Sequence, residues 1–195
     1  MVAKPPLGLL YIASSLRAQG FVPEVLDAQH EEATPEAIRA RIDRLAPLFV
    51  GFTANTISEP AVCHAIRSIR RSFSRLAIVV GGPGTTQPAA YLDAGANFIV
   101  LGEGERTAVA LAEALLKAGG NARQVAPPAG SIALQDDQVV HGEPAPRIDD
   151  LDALPFPAWD LVPVDRYLDA QVPGMRRPYF PVVTSRVCRF RCSFC

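Results

Sequence analysis

The chain has 195 residues, 20 acidic against 19 basic side chains and a formal net charge of −1, which excludes the one-signed field of a nucleic-acid or membrane-surface binder. Hydrophobic residues make up 49% of the sequence, enough for a core and too many for a disordered chain. No apolar run approaches the about 18 residues of a membrane span, and Met1-Val2-Ala3-Lys4-Pro5-Pro6 lacks the apolar stretch of a signal peptide, so no membrane span and a cytoplasmic location are expected.

From residue 7 to 118 helix-period and strand-period segments alternate. Leu9, Ile12, Ala13 and Leu16 share one helical face, and Gly20 stands where a helix end favours a left-handed residue. Val22 to Asp27 reads as a short strand. Thr34 is placed to cap the next helix, with Pro35 at its first position, Glu36 complementing its dipole, and Ile38, Ile42 and Leu45 as its buried stripe. Leu48 to Thr53 is a continuous apolar run, the pattern of a strand covered on both faces.

Ser58 opens a helix with Val62, Ile66 and Ile69 inward, and the strand Ala77 to Val80 runs into Gly81-Gly82-Pro83-Gly84. A short helix near Pro88 to Ala94 leads to the strand Phe98 to Leu101. Gly102-Glu103-Gly104-Glu105 follows, then a helix with Ala108, Leu111, Ala112 and Leu115 inward. Such alternation predicts an α/β fold, a doubly wound parallel sheet of the flavodoxin type with helices on both faces.

Beyond Gly119, Ile132 to Val140 reads as a small hairpin, and prolines recurring from Glu143 to Pro178 read as an extended connector. Tyr179 to Thr184 reads as a strand delivering a cysteine loop. The organisation expected is a sheet domain over 1–120, hairpin and linker over 121–178, and the start of a further domain from 179 to 195.

A flavodoxin-type sheet has strand order 2-1-3-4-5, with its first strand central. Here the chain begins with the helix that should follow that strand, and Met1 to Lys4 is too short and polar to replace it. A missing first strand is therefore expected, which leaves the Val22–Asp27 segment without its natural neighbour.

Cys188, Cys192 and Cys195 are spaced C-x3-C-x2-C. Three thiolates on one short loop can hold three irons of a 4Fe-4S cluster and leave the fourth open to another ligand. Zinc is the competing reading, but structural zinc wants four ligands; Cys63 is remote and no histidine lies near the triplet. A redox trio is the other, although C-x2-C redox chemistry has a different context.

Val182-Val183-Thr184-Ser185-Arg186 before the triplet and Phe194 within it resemble the opening of the radical SAM superfamily, where the triplet follows the first strand of a partial α/β barrel. The resemblance implies that Cys188, Cys192 and Cys195 ligate the cluster and that S-adenosylmethionine chelates the open iron. It also implies cleavage to a 5′-deoxyadenosyl radical, with electrons from an external donor of flavodoxin or ferredoxin type. Val187 departs from the glycine common at that position.

A flavodoxin-like domain, a proline-rich connector and then this triplet together resemble the cobalamin-binding radical SAM enzymes over essentially the whole chain. Lys4-Pro5-Pro6-Leu7-Gly8-Leu9-Leu10, Val50-Gly51-Phe52-Thr53, Val80-Gly81-Gly82-Pro83 and Gly102-Glu103-Gly104-Glu105 are similar to that family's loops. The resemblance implies cobalamin over the carboxyl ends of the strands, held by Thr53, Asn55, Gly81, Gly82, Pro83, Gly102 and Glu103. Thr53-Ala54-Asn55 stands where corrinoid domains carry Ser-x-Leu. The D-x-H-x-x-G motif that supplies a lower cobalt ligand is absent. The implied activity is methyl transfer to, or oxidative cyclisation of, an unactivated carbon of a small-molecule or natural-product-like substrate. The 195 residues alone are expected to be catalytically inactive and to hold no stable cluster.

Other readings stay open. The glycine loops are also compatible with ordinary strand-to-helix turns or an FMN site, and the chain with a stand-alone corrinoid-binding or sensory module. No G-x-G-x-x-G opens a helix, which disfavours a dinucleotide site. His30 could reach the cofactor face or sit solvated in its loop; His64, beside Cys63, reads as surface or helix packing, and His141, near the hairpin end, has no partner in view. Trp159 is placed to pin the connector. Glu103 and Glu105 serve either a ligand or the helix that follows.

Overall fold

The computed structural model describes residues 4–28, 31, 33–136, 138–168, 181–183, 185–186, 190 and 192–193. Helix α1 covers Leu7–Ala18 and α2 covers Pro35–Leu45, followed by β1 (Phe49–Thr53), α3 (Glu59–Ser72) and β2 (Ala77–Gly81). Then come α4 (Ala89–Ala94), β3 (Phe98–Val100), α5 (Glu105–Lys117), β4 (Ser131–Gln135), β5 (Gln138–His141) and α6 (Val164–Leu168). One sheet runs in the order β1-β2-β3-β4-β5. The first three strands are parallel, and the β4–β5 hairpin joins β3 antiparallel, with Ile99 opposite Ile132.

The two-residue side-chain period divides the core between the sheet's faces. Ile78, Val80, Ile99 and Ile132 meet Ile42 of α2, Val62, Ile66 and Ile69 of α3, and Leu92 of α4. On the other face Ala77, Val79, Phe98 and Val100 meet Leu111 and Leu115 of α5. Helix α1 packs beside α5, and its Leu10 and Ala13 form a third cluster with Val25, Ala158, Val162 and Tyr167. Trp159 and Leu161 pack on that cluster, so the connector docks under α1 at the tryptophan, and α6 with the 159–161 turn gives it local helical structure.

The flavodoxin-like α/β core is present: three parallel strands, in the order of the third to fifth strands of such a sheet, with helices on both faces. Residues 22–27 are not a strand. Pro23 lacks a ladder donor, no described strand lies beside the segment, and Val25 instead turns into the α1 cluster while Val22 stays exposed. The same circumstance changes β1. It is an edge strand with Gly51 and Thr53 exposed, not a strand buried on both faces.

Thr34 does cap α2, its hydroxyl accepting the Ala37 N–H at 3.2 Å with Pro35 at the first turn. Leu45, expected in that helix's buried stripe, is 37% exposed. Ser58 stands at the start of α3 but its hydroxyl caps no amide of that helix. The strand expected over 179–184 falls largely outside the described residues, and Pro181, Val182 and Val183 belong to no strand. Among the described residues no helix is long and apolar enough to cross a membrane.

Candidate functional site

The carboxyl ends of β1, β2 and β3 open on one edge of the sheet, where ligands of open α/β sheets bind. Three loops meet there, and hydrogen bonds lace the first two. The Ala54 N–H donates to the Gly81 carbonyl at 2.8 Å, and the Gly84 N–H donates to the Ala54 carbonyl at 2.9 Å. Asn55 Oδ1 accepts the Ile57 and Ser58 N–H groups, both at 2.9 Å, which turns the chain into α3. The Ser58 hydroxyl oxygen accepts the Asn55 N–H at 2.9 Å. Thr53, Asn55 and Pro83 are exposed, while Gly81 and Gly82 are half-buried.

Gly82 has φ +98°, and a Cβ there would lie 2.7 Å from both the Ala54 carbonyl oxygen and Thr53 Oγ1. Its glycine requirement thus comes from the neighbouring loop. The buried Thr85 hydroxyl lies 2.9 Å from the Gly82 carbonyl oxygen and 3.1 Å from that of Val100, so one side chain ties the β2 loop to the end of β3.

After β3, Gly102 is exposed at φ +70° with open space where a side chain would be. Glu103 and Glu105 turn inward. Glu103 Oε2 accepts the Ile148 N–H of the connector at 3.1 Å, and its buried Oε1 makes no hydrogen bond among the described residues but stands 3.7 Å from Arg186 Nη1. Glu105, the first residue of α5, is 4% exposed and pairs through Oε1 with Arg186 Nη2 at 2.7 Å. Arg186 Cζ also sits 5.1 Å from the centre of the Tyr11 ring, a cation–π arrangement. Burial disfavours the Arg186 cation, but its hydrogen bond to Glu105 and the charges of Glu105, Glu103 and Tyr11 outweigh this and raise its pKa.

The predicted cofactor residues fall in two groups. Thr53 and Gly81 end β1 and β2, Asn55, Gly82 and Pro83 lie in the two interlaced loops that follow, and Gly102 and Glu103 border the hairpin. A cleft of about 550 Å³ lies beside the second group, lined by Gly102, Glu103, Ser131, His141 and Pro144. It does not reach the first group. The loops over 53–58 and 81–88 carry no charged side chain, and Ile57 is 85% exposed among them. The two loops thus form an uncharged ledge, continued by bare backbone at Gly102.

Cys192 is exposed, whereas Cys188, Cys195 and His30 lie outside the described residues. Among the described residues no cluster of three metal-binding side chains forms. Cys63 is a core thiol 3.5 Å from the Ala90 carbonyl, its pKa raised chiefly by burial. His64 and His141 are exposed. Arg186, Tyr11 and Thr85 were not legible as a site. The available signal was chemical: two glutamates at a strand end, one of them at the start of an otherwise apolar helix face, call for a cation.

Comparison with known proteins places these observations. The B12 binding domain family matches residues 4–112, more than half of the chain. The chain is 33% identical to the uncharacterized methyltransferase PH0819 of Pyrococcus horikoshii over 98% of its own length and 40% of that protein's. It is 31% identical to the anaerobic magnesium-protoporphyrin IX monomethyl ester cyclase of Synechocystis, over 98% of its length and 38% of the cyclase's. The chain therefore spans about two fifths of these curated relatives. Structures of the radical S-adenosylmethionine methyltransferase TsrM of Kitasatospora setae superpose with a TM-score of 0.62 at 25% identity, covering 72% of this chain and 28% of that one. One holds tryptophan and a SAM analog, the other cobalamin and a [4Fe-4S] cluster. These matches bear out the resemblance to cobalamin-binding radical SAM enzymes, and the chain belongs to the family of B12-binding domains.

Proposed function

We propose that the chain supplies the amino-terminal portion of a cobalamin-dependent radical SAM enzyme. Residues 1–120 form the cobalamin-binding domain, 121–178 the hairpin and linker, and 179–195 the start of the radical SAM domain. The single observation that carries this is the B12-binding family match over 4–112, on the residues whose strand ends form the uncharged ledge. Thr53, Asn55, Gly81, Gly82, Pro83, Gly102 and Glu103 are the residues assigned to cobalamin. Cys188, Cys192 and Cys195 are assigned to a 4Fe-4S cluster whose fourth iron takes S-adenosylmethionine, a donor set whose soft thiolates suit iron–sulfur chemistry.

When bound, cluster and S-adenosylmethionine supply a 5′-deoxyadenosyl radical, and cobalamin supplies a transferable methyl group or takes part in oxidative cyclisation. The chain's own residues have simpler tasks. The Ala54–Gly81 and Ala54–Gly84 bonds hold the two neutral loops level, Gly102 leaves the surface bare, and Glu103 anchors the connector. The relatives, a methyltransferase and a cyclase, support both reaction types; the substrate would be a small molecule bound by the rest of the longer protein. Electrons would come from a flavodoxin or ferredoxin, and a cytoplasmic location fits such a donor. The 195 residues alone would be inactive.

The test is anaerobic reconstitution of the longer protein with hydroxocobalamin and, separately, FMN. Stoichiometric cobalamin uptake, with about four irons per chain lost on Cys188→Ala, Cys192→Ala or Cys195→Ala, is expected. Uptake of FMN in place of cobalamin would overturn the reading. Cobalamin uptake with no iron would leave the stand-alone corrinoid module.

A further inference from the structure

We infer that the junction of Arg186 with Glu105, Glu103 and Tyr11 positions the cysteine loop against the cobalamin domain; the inference rests on the reading above. Four segments meet in it: α1 through Tyr11, the β3–α5 loop and first turn of α5 through Glu103 and Glu105, the connector through the Ile148 N–H, and the run into the cysteines through Arg186. The first cysteine is two residues beyond Arg186, and two residues span at most about 7 Å. Whatever holds Arg186 therefore limits, by chain length alone, how far Cys188 can lie from it. Glu103 shares its loop with Gly102 and Glu105 opens the helix that follows, so the edge of the ledge and Arg186 are one ion pair apart.

An ordinary surface ion pair would not serve, because screened pairs hold long side chains loosely. This one is different in kind. Glu105 is 4% exposed, and a buried carboxylate requires a charged or hydrogen-bonding partner. Arg186 presents a planar fork, which lets one guanidinium face Glu105 and Glu103 while its plane covers an aromatic ring. Lysine offers a point charge and would do this poorly. Arg186 and Glu105 are accordingly positioning residues, acting on the separation and orientation of the two cofactors without touching either.

The test uses the longer protein, with Glu105→Gln, Arg186→Gln and the milder Arg186→Lys, plus the Glu105→Gln/Arg186→Gln double variant. Hydrogen exchange over 181–186 and 102–107 is followed without cofactors. After reconstitution, cobalamin and iron are counted, and pulsed EPR measures the distance between cob(II)alamin and the reduced cluster. Each glutamine variant is expected to keep both cofactors, to speed exchange in both segments about tenfold, and to broaden the distance distribution. The double variant should be no worse than either single one, the mark of a shared contact, and Arg186→Lys should recover part of the effect. Wild-type exchange and an unchanged distance distribution in Arg186→Gln overturn the inference while leaving the functional reading intact. Should Arg186→Gln fail to fold, wild-type exchange in Arg186→Lys and Glu105→Gln has the same force. Failure of the wild type to take up either cofactor overturns the functional reading, and the cofactor-free exchange still decides the junction.

Discussion

The phenol of Tyr167 donates a 2.7 Å hydrogen bond to Asp27 Oδ2, joining residues 140 apart in the chain. It closes the cluster in which Val162 and Ala158 of the connector meet Leu10, Ala13 and Val25. Arg17 of α1 adds a bidentate pair with Asp160 at 3.0 and 2.9 Å. The connector is thus fastened at the helix by apolar contact, at Asp27 by a half-buried hydrogen bond and at Asp160 by an exposed pair.

The Tyr167 bond makes stability fall at alkaline pH. Burial, then the hydrogen bond to Asp27 and the charges of Asp27 and Glu31, raise the Tyr167 pKa well above the ordinary tyrosine range. Its folded pKa exceeds the unfolded value of about 10, so its contribution is complete below about pH 10 and is lost as pH climbs toward the folded value. Tyr167→Phe should cost about 1–3 kcal/mol at pH 8 and should flatten the decline above pH 10. Tyr91, also raised chiefly by burial, leaves a residual slope. Urea unfolding at pH 8 and pH 10.5 checks this; an equal decline in the variant and the wild type would refute it.

Two glycines of the ledge should respond differently to the same change. Gly102→Ala meets only the left-handed backbone, at about 1–2 kcal/mol, because a Cβ there has open space around it. Gly82→Ala adds an overlap with the Ala54 carbonyl and should lose about 3 kcal/mol or more. Thermal melts rank the pair, and the reverse order would contradict the loop geometry. Gly102→Ala is expected to fold and so also tests the ledge: cobalamin affinity should drop about tenfold, a change of about 1.4 kcal/mol.

Thr85→Val preserves shape and removes the hydroxyl that approaches the Gly82 and Val100 carbonyls. With Thr85 only 3% exposed, its one hydroxyl proton is lost where water is scarce; the Gly82 carbonyl keeps the Thr85 N–H at 3.2 Å, and about 1–3 kcal/mol should be lost. Hydrogen exchange should rise in 82–86 and at the end of β3 together. A rise confined to 82–86 would show that the side chain does not join the loops.

What was legible in the sequence was what a short window decides. Thr34-Pro35-Glu36 specifies a helix start by local bonding alone, and Ala77 to Val80 can only be a buried strand. The cysteine spacing is of the same kind. Residues 22–27 carry a strand-like pattern, but a strand needs a neighbouring backbone, and no described strand lies beside them. The hairpin was visible through its turn, but its pairing with β3 depends on Ile132 finding Ile99, which no local pattern encodes. Gly82 shows a subtler limit: the motif was visible, and the conformational reason for it lies in Ala54 and Thr53. The Arg186–Glu105 pair was out of reach for the same reason, each charge being unremarkable until the fold brings the two together.

At the amino end of the strands, away from the ledge, Arg70 organises the opposite edge. Its guanidinium donates to the carbonyls of Phe73 at 3.3 Å, Ser74 at 3.0 Å, Leu76 at 2.8 Å and Gly95 at 2.7 Å. It also reaches Asn97 Oδ1 at 2.7 Å, and that oxygen accepts the Ile78 N–H at 2.9 Å. Burial lowers its pKa, yet arginine stays charged at any ordinary pH. Arg70→Ala leaves several part-buried carbonyls without donors and should cost about 3 kcal/mol or more. Arg70→Lys keeps the charge without the fork and should recover only part of that. Since the network is at the far end of the sheet, cobalamin affinity measured on the folded fraction should be unchanged in both variants. Equilibrium dialysis with hydroxocobalamin beside urea unfolding separates the two effects, and a loss of affinity that tracks the Arg70 substitution would mean that the ledge is not independent of the opposite edge.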